Sequence, residues 1–143
     1  METNLWDFLG LADRETLLSG LIGWFLNPRG EHGLGDSFLN KIIRRSGIKI
    51  DHISEPKIEV EKKVRNGRRF DILLSDGEKS KIAFEVKCKT EGSAEQLINY
   101  QNIAPNIVIV RIGFGEWNWN YPELSEKQRK FFPLIRFKDI ASI

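Results

Sequence analysis

Asp71, Glu85 and Lys87 are the residues of this chain best equipped for chemistry. Asp71 lies in an alternating run, Phe70, Ile72 and Leu74 against Asp71 and Leu73. A second run alternates Ile82, Phe84 and Val86 with Ala83, Glu85 and Lys87. Both have the period of a strand. The polar stretch Ser75–Ser80, with its Asp-Gly pair, reads as the turn between them. Folding the hairpin so that its apolar residues share a face pairs Phe70 with Val86, Ile72 with Phe84 and Leu74 with Ile82. That register sets Asp71 opposite Glu85, with Cβ atoms about 5 Å apart. Lys87 follows on the same polar face. Two facing carboxylates repel unless a cation lies between them, and Mg²⁺ takes one or two carboxylates alongside water and phosphate. A metal site beside a fixed positive charge suits phosphodiester cleavage. The plainer alternative is a solvated sheet face on which Lys87 neutralises the acids.

Gln96 and Tyr100 fall four residues apart on one face of the helix that should follow. Ser93 and Gln96 also have the spacing of a capping box, and Tyr100 could simply cover the sheet. Glu15 stands in the first turn of an N-terminal helix, on a stripe with Leu18, Ser19 and Ile22. An acid there also suits the helix dipole.

Asp71, Glu85-Val86-Lys87 and Gln96-Leu97-Ile98-Asn99-Tyr100 resemble the PD-(D/E)xK nuclease superfamily, and the glutamine and tyrosine resemble the Q-x-x-x-Y motif of its RecB-like branch. The stretch from Trp24 through Asn27-Pro28, His32-Gly33 and Gly35 to Phe38-Leu39 resembles a subgroup that carries W-L-L-D-P-x-x-x-H-G-x-G-x-x-F-L ahead of the catalytic hairpin. The likeness runs over roughly residues 12 to 140. Phe70 replaces the proline of the family name, and Asn27 stands where the subgroup often has aspartate. The chain also ends at Ile143, where the family leads one to expect further helices.

The resemblance implies a restriction-endonuclease-like α/β fold and a Mg²⁺-dependent nuclease, with Mn²⁺ able to substitute. Asp71 and Glu85 would hold the metal with the Val86 carbonyl, and Glu15 would reach it from the first helix. Lys87, Gln96 and Tyr100 would complete the catalytic set. The implied substrate is DNA, cut to leave a 5′-phosphate. Two rivals stand beside this reading: a non-catalytic nucleic-acid binder, and a scaffold subunit of a defence or mobile-element complex. For the protein itself, a homodimer or a larger complex is an open expectation.

At 143 residues the chain has the length of one domain spanning residues 1–143, enough for a single core. Its 41% hydrophobic and 29% charged content is that of a soluble globular protein. No apolar run reaches membrane-spanning length, and no basic-then-apolar leader opens the sequence. The single cysteine, Cys88, fits a reducing cytoplasm. With one cysteine and two histidines, zinc-finger spacing is excluded. A net charge of +2 leaves nucleic-acid affinity to local clusters. One is the group Lys62, Lys63, Arg65, Arg68 and Arg69 around Asn66-Gly67, interleaved with Glu59 and Glu61.

The order of elements reads α-α-β-β-β-α-β-α-β, a mixed sheet flanked by helices. Asp13 is expected to cap the first helix, and Asn27-Pro28 to end it. A second helix should run from Asp36 to about Arg45. Strands are expected at 58–65, 68–75 and 81–88, a helix over 94–103, and an apolar central strand from Ile107 to Ile112. A helix near 123–132 and a short strand near 134–137 follow. His32 is expected to order its glycine-rich loop. The alternation of Trp117, Trp119 and Tyr121 reads as a buried face or as a base-stacking segment.

Overall fold

Alternating apolar residues build a five-stranded sheet with helices on both faces. The computed structural model describes residues 14–63, 69–87, 94–113, 125–126, 132–136 and 139–140. Two helices come first, α1 (Glu15–Leu26) and α2 (Ser37–Ser46). The strands β1 (Pro56–Lys63), β2 (Arg69–Asp76) and β3 (Lys79–Lys87) follow, then α3 (Ala94–Ile103), β4 (Val108–Gly113) and β5 (Leu134–Arg136). The sheet order is β1-β2-β3-β4-β5. β1 to β3 form an antiparallel meander, whereas β3, β4 and β5 run parallel. α3 supplies the crossover that a parallel β3–β4 pair requires. This is the mixed α/β architecture expected from the sequence.

Each face of the sheet has its own core. On one side Leu18, Ile22 and Leu26 of α1 and Phe38, Leu39 and Ile42 of α2 pack on Ile72, Leu74, Ile82, Phe84, Val86, Val110 and Ile112. On the other, Leu97 and Tyr100 of α3 join Phe70, Leu73, Ala83, Ile109 and Phe132. Both faces of β2 and β3 are therefore covered. Asp71, Glu85 and Lys87 were expected on one polar face of the hairpin; Glu85, which alternates with Ala83, lies on the side that α3 covers.

The hairpin register agrees with expectation at Ile72↔Phe84 and Leu74↔Ile82, and departs from it at both ends. A shift between Leu74 and Ser75 carries the strands on to Asp76↔Lys79, so the turn is the two-residue Gly77-Glu78. Gly77 takes a φ of 57°, the sign required at the first central position of a type II′ turn. Asp76 is thus the last strand residue, and its Oδ1 accepts the Glu55 amide at 2.8 Å. At the other end the pairing stops at Ile72↔Phe84. The predicted Phe70↔Val86 and Asp71↔Glu85 pairs do not form. Phe70 packs on Tyr100, with ring centroids 5.1 Å apart, on the face opposite Ile72.

The helix ends follow local chemistry. Arg14 occupies the N-cap position of α1 without a side-chain cap bond, and the expected cap, Asp13, lies outside the described residues. Asn27, held extended by the proline that follows, closes the helix. α2 stops at Gly47, in the left-handed conformation of a helix C-terminus. Gly33 and Gly35 also have positive φ, which glycine adopts without strain. The predicted helix near 123–132 and the Trp117–Tyr121 segment fall almost wholly outside the described residues. Among those described, no helix is long and apolar enough to cross a membrane.

The turn yields the first test. Replacing Gly77 with alanine places a Cβ 3.2 Å from Glu55 Oε2 at a left-handed φ. Gly77→Ala should destabilise the fold by about 1 kcal/mol in urea unfolding. An unchanged midpoint would show that the turn tolerates another conformation.

Candidate active site

The site lies where β2 and β3 part beyond Ile72↔Phe84. The Asp71 carboxylate enters this gap, and its Oδ2 accepts the Val86 amide at 2.8 Å. A side chain has taken the place of a ladder bond. Glu85, next along β3, is only 4% exposed. Its Oε1 accepts Gln96 Nε2 at 3.1 Å and faces Lys87 Nζ at 3.4 Å. Lys87 ends β3 and reaches across to α1 on the other layer, where Glu15 Oε2 lies 4.0 Å from its Nζ. Glu15 therefore joins the two strand acids and the lysine.

Gln96 and Tyr100 do share one helix face, and their partners are now specific. Gln96 Nε2 donates to Glu85 and also lies 3.3 Å from Tyr100 Oη. The Tyr100 hydroxyl donates to the Arg69 carbonyl at 2.8 Å. A hydrogen-bonded chain thus runs from Glu85 through α3 to the start of β2. Lys87 is held by acids, Glu85 and Glu15. The capping-box alternative involves Ser93, which lies outside the described residues.

Burial and like charge set the protonation of the acids. Burial pushes Asp71 up to about 6, although the Val86 amide and Lys87 favour its charged form. Glu61 and Glu15 add to the rise. Burial, and then the charge on Asp71, push Glu85 up to about 8 against the pull of Lys87. Lys87 is opposed by its own burial, yet Glu85, Glu15 and Asp71 together raise it above its ordinary value. Burial and the nearby Glu85 also raise Tyr100. Raised acids beside a lysine held charged make a pocket with little water, in which Glu85 keeps its proton near neutrality until a positive charge takes its place.

This donor set fits a hard divalent cation. Two oxygen ligands from Asp71 and Glu85 are close enough to repel, and a cation removes that repulsion. Among the described residues no three His, Cys, Asp or Glu side chains gather into a metal cage. Mg²⁺ does not require one, because it keeps water and phosphate in its remaining positions.

The basic cluster is less free than its composition implies. Lys62 lies 3.2 Å from Glu59, and Arg69 lies 3.9 Å from Glu61. Lys63 is exposed at the end of β1. Arg65 and Arg68 are outside the described residues. Two further residues escaped the sequence reading. Arg111, 7% exposed, stands beside Glu85 in the β3–β4 register, with its Nε on the Phe132 carbonyl at 2.9 Å. A charge inside an apolar run was its signal. Glu61 has a φ of 57° beside Asp71, and nothing in its sequence context marks it.

The Trp24–Leu39 stretch also acquires a physical role. His32 Nε2 donates to the Asn27 carbonyl at 2.8 Å, and Nδ1 accepts the Leu34 amide at 3.0 Å. The ring contacts Trp24 edge-on at 5.2 Å. His32 thus ties the end of α1 to the loop that enters α2, as expected of a loop organiser.

The model of the PD-(D/E)XK nuclease superfamily matches residues 3–126, from ahead of α1 to beyond β4. The chain belongs to the PD-(D/E)XK nuclease superfamily. Membership supports a nuclease-type function with nucleic acid as its substrate, and nucleases of this superfamily generally use divalent metals. The five-stranded sheet and its flanking helices agree with the restriction-endonuclease-like fold of the superfamily. No curated protein and no solved structure matches the chain.

The raised acids predict a pH profile for this nuclease-family domain without metal. Between an ordinary glutamate value near 4.5 and about 8, the folded chain binds more protons than the unfolded chain. Stability should therefore fall as pH rises through that window. Glu85→Gln should flatten the profile and raise the melting temperature at the alkaline end. Parallel profiles for wild type and mutant would show that Glu85 ionises normally.

Proposed function

We propose that this protein is a Mg²⁺-dependent DNA nuclease of the RecB-like branch, working in the cytoplasm. The observation that carries the reading is the convergence of Asp71, Glu85, Lys87 and Glu15 at one end of the sheet. Asp71 and Glu85 would hold the cation, with the Val86 carbonyl as a further oxygen and Glu15 at the rim. A cation bound there supplies activation of water and neutralisation of charge on the scissile phosphate.

The chain's own groups do the rest. Lys87, kept charged by three acids, can donate to the attacking water or to the phosphate oxygen that gains charge. Gln96 fixes the direction of Glu85 by holding Oε1, and Tyr100 braces Gln96 against β2. Burial of Glu85 at 4% exposure keeps the site dry enough for these charges to act strongly. Lys62, Lys63 and Arg69, the described members of the basic cluster that also holds Arg65 and Arg68 in sequence, would grip the DNA backbone without reading bases. Lys62 is paired with Glu59 and Arg69 with Glu61, so at these two positions phosphate must displace an acid to be held.

Single-turnover cleavage of single-stranded, double-stranded and branched DNA with Mg²⁺ or Mn²⁺ tests the reading. Lys87→Ala should cut at least about 10²-fold more slowly, the scale of losing one transition-state stabiliser. Its fold should survive, because Glu85 can take up a proton once the lysine is gone. DNA that is bound but left uncut by the wild type would favour a binding role. Cleavage by Lys87→Ala at nearly the wild-type rate would remove the lysine from the chemistry.

A further inference from the structure

In a regular strand Phe70 and Ile72 would point to the same side. Here Phe70 lies in the α3 core and Ile72 in the α1–α2 core. From Ile72 onward the alternation is regular, with Leu73 under α3 and Leu74 under α1 and α2. β2 therefore turns over at Asp71. Its neighbour shows the counterpart. β1 pairs with β2 at Val60↔Ile72 and again at Lys62↔Phe70, but Glu61 and Asp71 between them do not pair. The register is the same on both sides, so no residue has been inserted. Instead Glu61 has a φ of 57°, and it is the non-glycine residue with positive φ among those described. A left-handed L-residue in a strand is costly, and such irregularities re-aim side chains beside active sites. β1 is an edge strand, so the reversed backbone disturbs one ladder only.

We propose that Glu61 is a positioning residue of the candidate site, acting through its left-handed backbone. That backbone lets β2 turn over at Asp71, and the Asp71 carboxylate then enters the β2–β3 gap and takes the Val86 amide. The side chain of Glu61 contributes little to this. Its charge opposes that of Asp71, and its contact with Arg69 is a 3.9 Å pair between half-exposed groups. Asp71 serves a cation only if the proposed function holds, but its placement by Glu61 does not depend on that reading.

Amide hydrogen exchange at Val86, read by NMR on the full chain without metal, tests the backbone role. Asp71→Ala sets the reference for a lost bond, with exchange about tenfold faster. Glu61→Gly accepts the left-handed φ, so Val86 should stay protected and the melting temperature should rise by about a few degrees. Glu61→Val resists that φ, so Val86 should exchange at the Asp71→Ala rate while protection in α1 and β4 persists. A Val86 amide as slow in Glu61→Val as in wild type would overturn the proposal. So would a Glu61→Gly protein that melts lower or exposes Val86, and that arm decides the matter if the valine variant does not fold. Because no metal enters the measurement, its failure leaves the cation site standing, and failure of the cation site leaves this result standing.

Discussion

The structure depends on keeping one carboxylate, Glu85, almost out of water on the central strand of a sheet. Glu85 gains a hydrogen bond from Gln96 and a charge partner in Lys87, and it still prefers a proton to an unusual degree. Much of the surrounding architecture can be understood from that constraint. α3 must pack closely enough for Gln96 to reach Oε1, so Leu97 and Tyr100 are buried on the same face. Lys87 must also reach Glu15 on the opposite layer. Asp71 must leave the regular ladder to sit beside Glu85.

These requirements work against stability. Buried acids, a left-handed glutamate and a gap in a central hairpin each cost free energy. The two apolar cores offset that cost. Side chains such as Ile72, Leu74, Phe84 and Leu18, each almost fully buried, contribute roughly 1.5–3 kcal/mol apiece. The strain is concentrated at one end of β2 and β3, while the middle of the hairpin keeps its register. This is the distribution expected when a rigid scaffold holds a site poised for a ligand that the free protein lacks.

Much of this was legible in the sequence, and the misses have causes. Strand alternation found β1, β2 and β3 to within two residues, because one face of each strand must be apolar. It also found the middle register, since a slip there would expose Phe84 or Ile72. Alternation cannot foresee its own interruption, so the turnover at Asp71 and the role of Glu61 were invisible. It also reads an acid as solvent-facing by default. It placed Glu85 on the polar face of the hairpin without showing that α3 covers that face. The pairing of Gln96 with Tyr100 was readable as i, i+4 neighbours, but their partners Glu85 and the Arg69 carbonyl required the packed structure. Arg111 was missed because the strand around it was read as apolar throughout, although a charge inside such a run was its signal.

We propose that a shared cation relieves the repulsion between Asp71 and Glu85. Isothermal calorimetry with Mn²⁺ at a pH above the raised value of Glu85 tests it most directly. Wild type should bind one ion per chain, with proton release increasing as the pH is lowered toward neutrality. Asp71→Asn and Glu85→Gln should each bind at least about tenfold more weakly. Equal, tight binding in the wild type and in both variants would place the metal elsewhere and contradict the account.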